Sequence, residues 1–147
     1  MSAAYQYTDE DSVPILLERS AARRPQSTAI TIGAVQIPYG GLLRKVQSLA
    51  QGLFEQGIRS GDRVALMLPN TPAYVMSCYA LLQLGAVVVN VSPSSQGAEL
   101  VSILRQSEAK VLIALDVFLP GLYRVLDKSP VKCLIISSVQ GLEKQLP

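Results

Sequence analysis

The sequence predicts an α/β fold: a mostly parallel sheet with helices on both faces, a three-layer αβα arrangement, preceded by one helix and a short hairpin. Three observations predict it. Beyond Arg63, strand-length runs alternate with helix-length stretches. The strand runs are near-continuous Val, Leu and Ile, as in strands covered on both faces. From Val64 to Ala98 no residue is charged. Pro69, Asn70 and Pro72, then Gly85, Asn90 and Pro93, cut that span into pieces shorter than the ~20 apolar residues of a transmembrane helix, so it reads as a buried βαβ unit.

Each element follows in order. Ser12 stands as an N-cap with Pro14 in the first turn, and Val13, Leu16, Leu17, Ser20 and Ala21 form a helical stripe that stops at Pro25. Thr28–Ile32 and Val35–Tyr39 are β-branched runs separated by Gly33-Ala34, a hairpin signal. Between Gly41 and Gly57, Leu42, Leu43, Val46, Leu49, Ala50, Leu53 and Phe54 recur at helical spacing, and Gly57 closes the helix. The regular alternation comes next: strand Arg63–Leu68, helix Pro72–Leu84, strand Val87–Val91, helix Gly97–Gln106, strand Lys110–Leu115, helix Phe118–Asp127 and strand Val131–Ser137. Helix Pro72–Leu84 is apolar nearly all round and is expected to lie deep.

At 147 residues the chain fits one domain or part of a larger one. Lys plus Arg (13) against Asp plus Glu (11) leaves a net charge of +2, and the cations are scattered, so no nucleic-acid footprint is present. There is no His, which removes Ser-His-Asp and Cys-His chemistry, the commonest zinc ligand and the usual proton shuttle. Cys78 and Cys133 each sit in an apolar run and read as buried free thiols of a reducing compartment. The start, MSAAYQYTDEDS, is polar and acidic and lacks the basic and apolar regions of a secretory signal. The expected location is the cytoplasm, with at most a peripheral association with membranes and no transmembrane segment.

No Walker A sequence or G-x-G-x-x-G follows any strand. Tyr39-Gly40-Gly41 and Arg59-Ser60-Gly61-Asp62 come nearest, and neither continues correctly; Gly61-Asp62 reads as a tight turn. The corner Leu68-Pro69-Asn70-Thr71-Pro72 joins a strand to a helix, where unpaired amides and the helix dipole favour anions. Thr71 followed by Pro72 is also what a capped helix start requires. Thr71 therefore reads first as a cap, with Asn70 free to bond in the turn. Ser94 or Ser95 is the expected cap of the next helix, with Glu99 in its first turn. Arg19, Arg23 and Arg24 fall near the end of the first helix, where the dipole favours cations, and read as a solvated face.

The succession TAI…IPYGGLLRKVQSLAQGLFEQGIRSGDRVALMLPNTPAYVMSCYALLQLGAVVVNVSP…ELVSILRQSEAKVLIA resembles the N-terminal region of the AMP-forming acyl-CoA synthetases of the adenylate-forming superfamily, fatty-acid CoA ligases above all. The resemblance spans Ala22 to Ala114. It rests on the order of Gly57–Ala65, Leu68-Pro69-Asn70, Leu84–Asn90 and Ser107–Leu112. After Pro93, where fatty-acid ligases often carry an aromatic residue and a Thr before the Glu, this chain has Ser94-Ser95-Gln96-Gly97-Ala98.

The resemblance implies a reaction in which a carboxylic acid attacks ATP to give an acyl-adenylate and pyrophosphate, after which the coenzyme A thiol displaces AMP. It implies ATP, Mg²⁺ and coenzyme A for a full-length enzyme, with the phosphate loop and catalytic Lys further along the chain than this sequence reaches. No catalytic residue and no metal ligand is expected here, and no cofactor for this segment alone. Asn70 and Thr71 are the only candidates, backing the groups that would touch a ligand. Residues 1–11 are expected to be a flexible lead, and residues 12–147 the N-terminal portion of a larger adenylation domain, cut before the phosphate loop and inactive alone. Its expected partners are the remainder of a synthetase chain and a carboxylic or fatty acid substrate, and the segment is expected to self-associate through an uncovered edge or face, in keeping with a mean hydropathy of +0.30. The alternatives are a stand-alone, non-catalytic interaction or scaffold module with a synthetase-like fold, and an unrelated flavodoxin-like or receiver-like domain.

Overall fold

The computed structural model describes residues 12–138. The expected lead over residues 1–11 and the stretch beyond Ser138 lie outside the described residues. Helix α1 (Val13–Arg23) is followed by the antiparallel hairpin β1 (Thr28–Ile32) and β2 (Val35–Pro38), and then by helix α2 (Tyr39–Glu55). Strand β3 (Arg63–Met67), helix α3 (Pro72–Gln83), strand β4 (Val87–Asn90), helix α4 (Gly97–Ser107), strand β5 (Val111–Leu115), helix α5 (Leu119–Leu126) and strand β6 (Cys133–Ser137) complete the chain. All pairings among β3 to β6 are parallel, and the strand order is β4-β3-β5-β6.

The alternation of side chains along β3 and β5 divides the core in two. Val64, Leu66 and Leu68 of the β3 segment and Ile113 and Leu115 of β5 pack with α1, α2 and α3. Ala65 and Met67, with Leu112 and Ala114, face the other way onto Leu100 and Leu104 of α4 and Leu122 and Val125 of α5. Both faces are thus covered, which is why the two central strands carry only apolar residues after Arg63. The expected three-layer αβα fold with a leading helix and hairpin is what the structure contains.

Helix α2 begins at Tyr39, earlier than the apolar spacing alone places it. Gly40 and Gly41 lie inside its first turn. The reason is packing: a Cβ on Gly40 would meet the Pro25 carbonyl oxygen at 3.2 Å, and the Gly40 amide donates to that same oxygen at 2.9 Å. At its other end Gly57, with φ +94°, accepts the left-handed turn. The Gly57 and Ile58 amides donate back to Phe54 and Leu53, satisfying carbonyls the helix leaves open.

Three further expectations are corrected. Helix α3 is not fully enclosed: Pro72, Ser77, Ala80 and Leu81 are buried, but Tyr74, Val75, Met76, Cys78 and Tyr79 are half-buried. It packs mainly on α1, α2, β3 and β4, with Ile30–Ile32 of β1 beside Tyr74 and Val75. Cys78 and Cys133 are free thiols, as expected, but half-buried. The N-cap of α4 is Gln96, with no side-chain capping bond, in place of Ser94 or Ser95; the Ser95 hydroxyl instead donates to Glu99 Oε1 at 3.1 Å. A single 3-10 turn over Asp116–Phe118 precedes α5. Among the described residues no helix is long and apolar enough to cross a membrane.

Candidate site at the carboxyl ends of the strands

In an open parallel sheet, ligands favour the crevice outside the carboxyl ends of two strands whose onward connections leave in opposite directions. Here those strands are β3, which leads by α3 to β4 on one side, and β5, which leads by α5 to β6 on the other. The crevice is therefore framed by Leu68-Pro69-Asn70-Thr71 after β3 and Asp116-Val117-Phe118 after β5. The β4 exit, Asn90 to Ser95, flanks it.

Both sequence-level candidates lie at this end. Thr71 is the N-cap of α3: its Oγ1 accepts from the Tyr74 amide at 3.4 Å and donates to the Pro69 carbonyl at 3.2 Å. Its proton is thereby committed within the chain, and Pro72 at the first helical position leaves no lost donor behind. Asn70 is exposed, and its side chain makes no hydrogen bond among the described residues. The two residues share a concavity of about 290 Å³ with Pro72, Tyr74 and Val75 of α3 and Ile30–Ile32 of β1. The corner thus separates into a structural half, Thr71, and an available half, Asn70.

The structure adds partners that no local pattern announced. The Tyr74 hydroxyl donates to Asn90 Oδ1 at 3.0 Å, tying the start of α3 to the end of β4. Ser138 donates to Asp116 Oδ2 at 3.0 Å, joining the exits of β5 and β6. The Ser92 and Ser94 hydroxyls lie 2.7 Å apart in the β4 exit. These are neutral hydrogen-bonding groups around one carboxylate. They suit the orientation of polar ligand atoms, but Val64–Ala98 contributes no cation to hold a triphosphate. Nor do three His, Cys, Asp or Glu side chains converge for a metal among the described residues. The donor set does not fit Mg²⁺-ATP.

Two perturbed groups sit away from this crevice, on α3. Burial pushes the Cys78 thiol up from its ordinary value. The Tyr79 hydroxyl is raised by burial first, then by the neighbouring Cys78 and Tyr39 charges. Both are held in their neutral forms, so neither is an activated nucleophile.

Of the segments most specific in sequence, Leu68-Pro69-Asn70 lies at the carboxyl end, while Gly57–Ala65, the start of Leu84–Asn90 and Ser107–Leu112 gather at the opposite end of the sheet. The Gly61 amide donates to the Gly85 carbonyl, the Val87 amide to the Asp62 carbonyl, and the Lys110 amide to the Arg63 carbonyl. Asp62 Oδ2 accepts the Arg59 amide at 2.8 Å, closing the expected tight turn. Arg63 pairs with Glu108 across β3 and the end of α4. These motifs register the starts of β3, β4 and β5; they build the sheet and leave its carboxyl end open.

Comparison with known proteins agrees with this architecture. The AMP-binding enzyme family matches residues 17–146. The chain is 37% identical over 125 residues to a long-chain-fatty-acid–CoA ligase of Bacillus subtilis (strain 168), covering 85% of this chain and 22% of that protein. It is 42% identical over 95 residues to a feruloyl-CoA synthase of an Amycolatopsis species, covering 65% of this chain and 19% of the relative. The chain thus spans about a fifth of the length of these relatives. The crystal structure of a long-chain-fatty-acid-CoA ligase from Archaeoglobus fulgidus superposes with a TM-score of 0.82 at 22% identity, over 97% of this chain and 31% of that one. A family match over nearly the whole described chain, with the same fold, leaves one assignment: the chain belongs to the AMP-binding enzyme family.

Proposed function

We propose that these residues form the N-terminal part of the adenylation domain of an AMP-forming acyl-CoA ligase, and that the whole protein joins a carboxylic acid to coenzyme A through an acyl-adenylate. The observation that carries the reading is the family match over residues 17–146. ATP, Mg²⁺ and coenzyme A would be held by residues outside this segment, because the carboxyl-end crevice offers neutral groups and one carboxylate. The segment's part is to supply the sheet and to place Asn70 and the Tyr74–Asn90 pair behind the reacting groups. Residues 12–147 are read as one portion of that larger domain, residues 1–11 as its lead, the location as cytoplasmic with at most peripheral membrane association, and the isolated chain as self-associating.

The acid is proposed to be a long-chain fatty acid, supported by the relative matched over 85% of this chain. An aryl acid is the second reading, favoured by the higher identity to the feruloyl-CoA synthase over a shorter stretch. Two assays test the proposal. ATP–pyrophosphate exchange with dodecanoate should be absent for the 147-residue chain; robust turnover would sink the reading of an incomplete site. A chimera in which residues 17–138 replace the matching segment of the Bacillus subtilis ligase should activate dodecanoate. A chimera that folds and is inactive counts against the ligase assignment, and a shift toward ferulate favours the aryl reading.

A further inference from the structure

Cations that are scattered along the sequence are gathered by the fold at the amino ends of the strands. Arg63 opens β3, and Lys110 and Lys132 immediately precede its successive neighbours β5 and β6. The Lys110 amide donates to the Arg63 carbonyl at 3.3 Å and the Lys132 amide to the Lys110 carbonyl at 2.8 Å, so the three backbones adjoin. Two residues on in each strand, Ala65, Leu112 and Leu134 stand in register and pack into the half of the core under α4 and α5. Strand alternation therefore sets the three cations in a row on that same side, and all are exposed. Arg105, whose Nε donates to the Lys128 carbonyl at 2.8 Å, joins the row from the end of α4, with Lys128 just after α5. Against these stand Glu108, which pairs with Arg63, and Asp127; Asp62 and Glu55 at the same end accept from the Arg59 amide and from Gln51. Two exposed apolar side chains adjoin the cations. Val87, the register partner of Arg63, is 48% exposed, and Phe54, in the last turn of α2, is 44% exposed with the Arg59 guanidinium 3.8 Å over its ring.

We infer that this end of the sheet is an interaction surface for an anionic lipid bilayer, with Arg63, Lys110 and Lys132 meeting the headgroups and Phe54 and Val87 at the acyl boundary. Helix dipoles account for Arg105 and Lys128. They do not account for the row itself, which stands on strands, whose dipoles are small. Like charges on neighbouring strands repel, so the row costs the fold stability unless an anionic partner offsets it. Protection of an open edge is not the reason for Arg63 and Lys110, since β3 and β5 lie inside the sheet. The exposed apolar groups decide between partners. A polyanion in water uses only the cations, whereas a bilayer interface of anionic lipids takes up both cations and apolar side chains. Docking by this end leaves the crevice at Asn70, at the opposite end of the strands, directed away from the bilayer. The inference gives a surface to the peripheral membrane association proposed above; it rests on that reading and is independent of the ligase assignment.

Co-sedimentation of the 147-residue chain with vesicles, without ATP or any acid substrate, tests the inference. Vesicles of mixed phosphatidylcholine and phosphatidylglycerol should bind the chain at low salt and release it at high salt, and phosphatidylcholine vesicles should bind about tenfold or more weakly. Lys110 and Lys132 make no side-chain hydrogen bond or ion pair among the described residues, so K110Q/K132Q should fold normally by circular dichroism and lose about tenfold or more in affinity. R44Q/K45Q removes the same charge from exposed positions in the first half of α2, away from this end, and should bind as the wild type does. The chain holds no Trp, so F54W carries a single reporter whose emission should shift to the blue on the mixed vesicles. Binding unaffected by K110Q/K132Q, equal losses in both double variants, or an unshifted emission from vesicle-bound F54W overturns this surface while leaving peripheral association standing. Duplex DNA bound more tightly than the mixed vesicles overturns it in favour of a nucleic-acid surface. No binding to the mixed vesicles at low salt overturns the surface and the peripheral reading together, and leaves the ligase assignment untouched.

Discussion

Ser60 and Gly85 lie against each other where the turn before β3 meets the turn before β4. A Cβ added to Gly85 would stand 2.6 Å from the Ser60 Oγ and 3.2 Å from its Cβ, and the Gly85 backbone holds φ at +72°. The Gly61 amide donates to the Gly85 carbonyl at 2.9 Å, so the two turns are fastened at the point of closest approach. Gly85→Ala meets both obstacles, left-handed backbone strain of about 1–2 kcal/mol and a forced shift of Ser60. Urea unfolding should show a loss of about 2–3 kcal/mol. Adding Ser60→Gly should recover the steric part and leave the backbone part, a coupling that a double-mutant cycle measures directly. Full additivity of the two substitutions would refute the contact.

Thr71 and Asn70 are adjacent in sequence and separable by mutation. Thr71→Ala removes the cap on α3 and should cost about 0.5–1 kcal/mol, the low end for caps because the bond to the Tyr74 amide is long at 3.4 Å. Thr71→Ser keeps the oxygen and should recover most of that. Asn70→Ala should change stability by less than about 0.5 kcal/mol, as an exposed side chain without partners does. A large destabilisation by Asn70→Ala would show that the amide serves the fold and is not held available at the crevice.

Much of this architecture was legible in the sequence, and the places where it was not have physical causes. The helical spacing from Leu42 to Phe54 and the β-branched runs of β3 and β5 each follow from one local rule, and each appears where that rule puts it. The start of α2 does not, because glycine disfavours helix locally, and only the approach of Pro25 to Gly40 explains its use. The α4 cap moved from Ser94 or Ser95 to Gln96 because the Ser95 hydroxyl is engaged by Glu99 one turn on. At the candidate site, Thr71-Pro72 announced the cap. The Tyr74–Asn90 and Asp116–Ser138 bonds required the strand order, which is nonlocal. That order also shows why Gly57–Ala65 and Ser107–Leu112 carry no part of the crevice, since they lie where strands begin, whereas Leu68-Pro69-Asn70 lies where β3 ends.

Glu108 holds φ at +52°, the only non-glycine with positive φ among the described residues, while its carboxylate pairs with Arg63. The magnitudes decide the outcome of substitution. Both side chains are largely exposed, 49% and 73%, so the pair is worth about 0–1 kcal/mol, whereas relief of the left-handed strain is worth about 1–2 kcal/mol. Glu108→Gly should therefore be neutral or stabilising by up to about 1 kcal/mol. Glu108→Val, branched at a position that tolerates branching poorly, should be clearly destabilising. Thermal melts of the two variants side by side check the sign.

The raised Cys78 and Tyr79 groups make stability depend on alkaline pH. Each is an acid whose folded value lies above its unfolded one, so the folded chain retains protons that the unfolded chain releases. Their contribution is complete below pH 9.0, the thiol's ordinary value, and is lost as pH rises from there and past the phenol's ordinary 10.0. Denaturant midpoints should fall between pH 9 and 11 more steeply for the wild type than for Cys78→Ala. Alkylation of Cys78 at neutral pH should be slow, since the thiolate is the reactive form. Equal slopes for the two proteins would remove Cys78 as the cause.

The outer edge of β4 governs the expected self-association of the isolated chain. β4 terminates the sheet order, its sequence is Val87-Val88-Val89-Asn90, and no charge occurs anywhere from Val64 to Ala98 to discourage strand pairing. Val88 and Val89 pack into opposite halves of the core, so the strand is fixed in register and presents its free backbone groups outward. Val87 is 48% exposed at the start of the strand and belongs to neither half. Val87→Lys therefore puts a charge on the edge at little cost to the core, whereas Val88→Lys would bury one. Light scattering of the 147-residue chain should show concentration-dependent association, and Val87→Lys should shift it toward monomer with an unchanged melting temperature. A wild-type chain monomeric at high concentration would refute the association, and association unaffected by Val87→Lys would move it from this edge to the β6 edge or the half-buried side of α3.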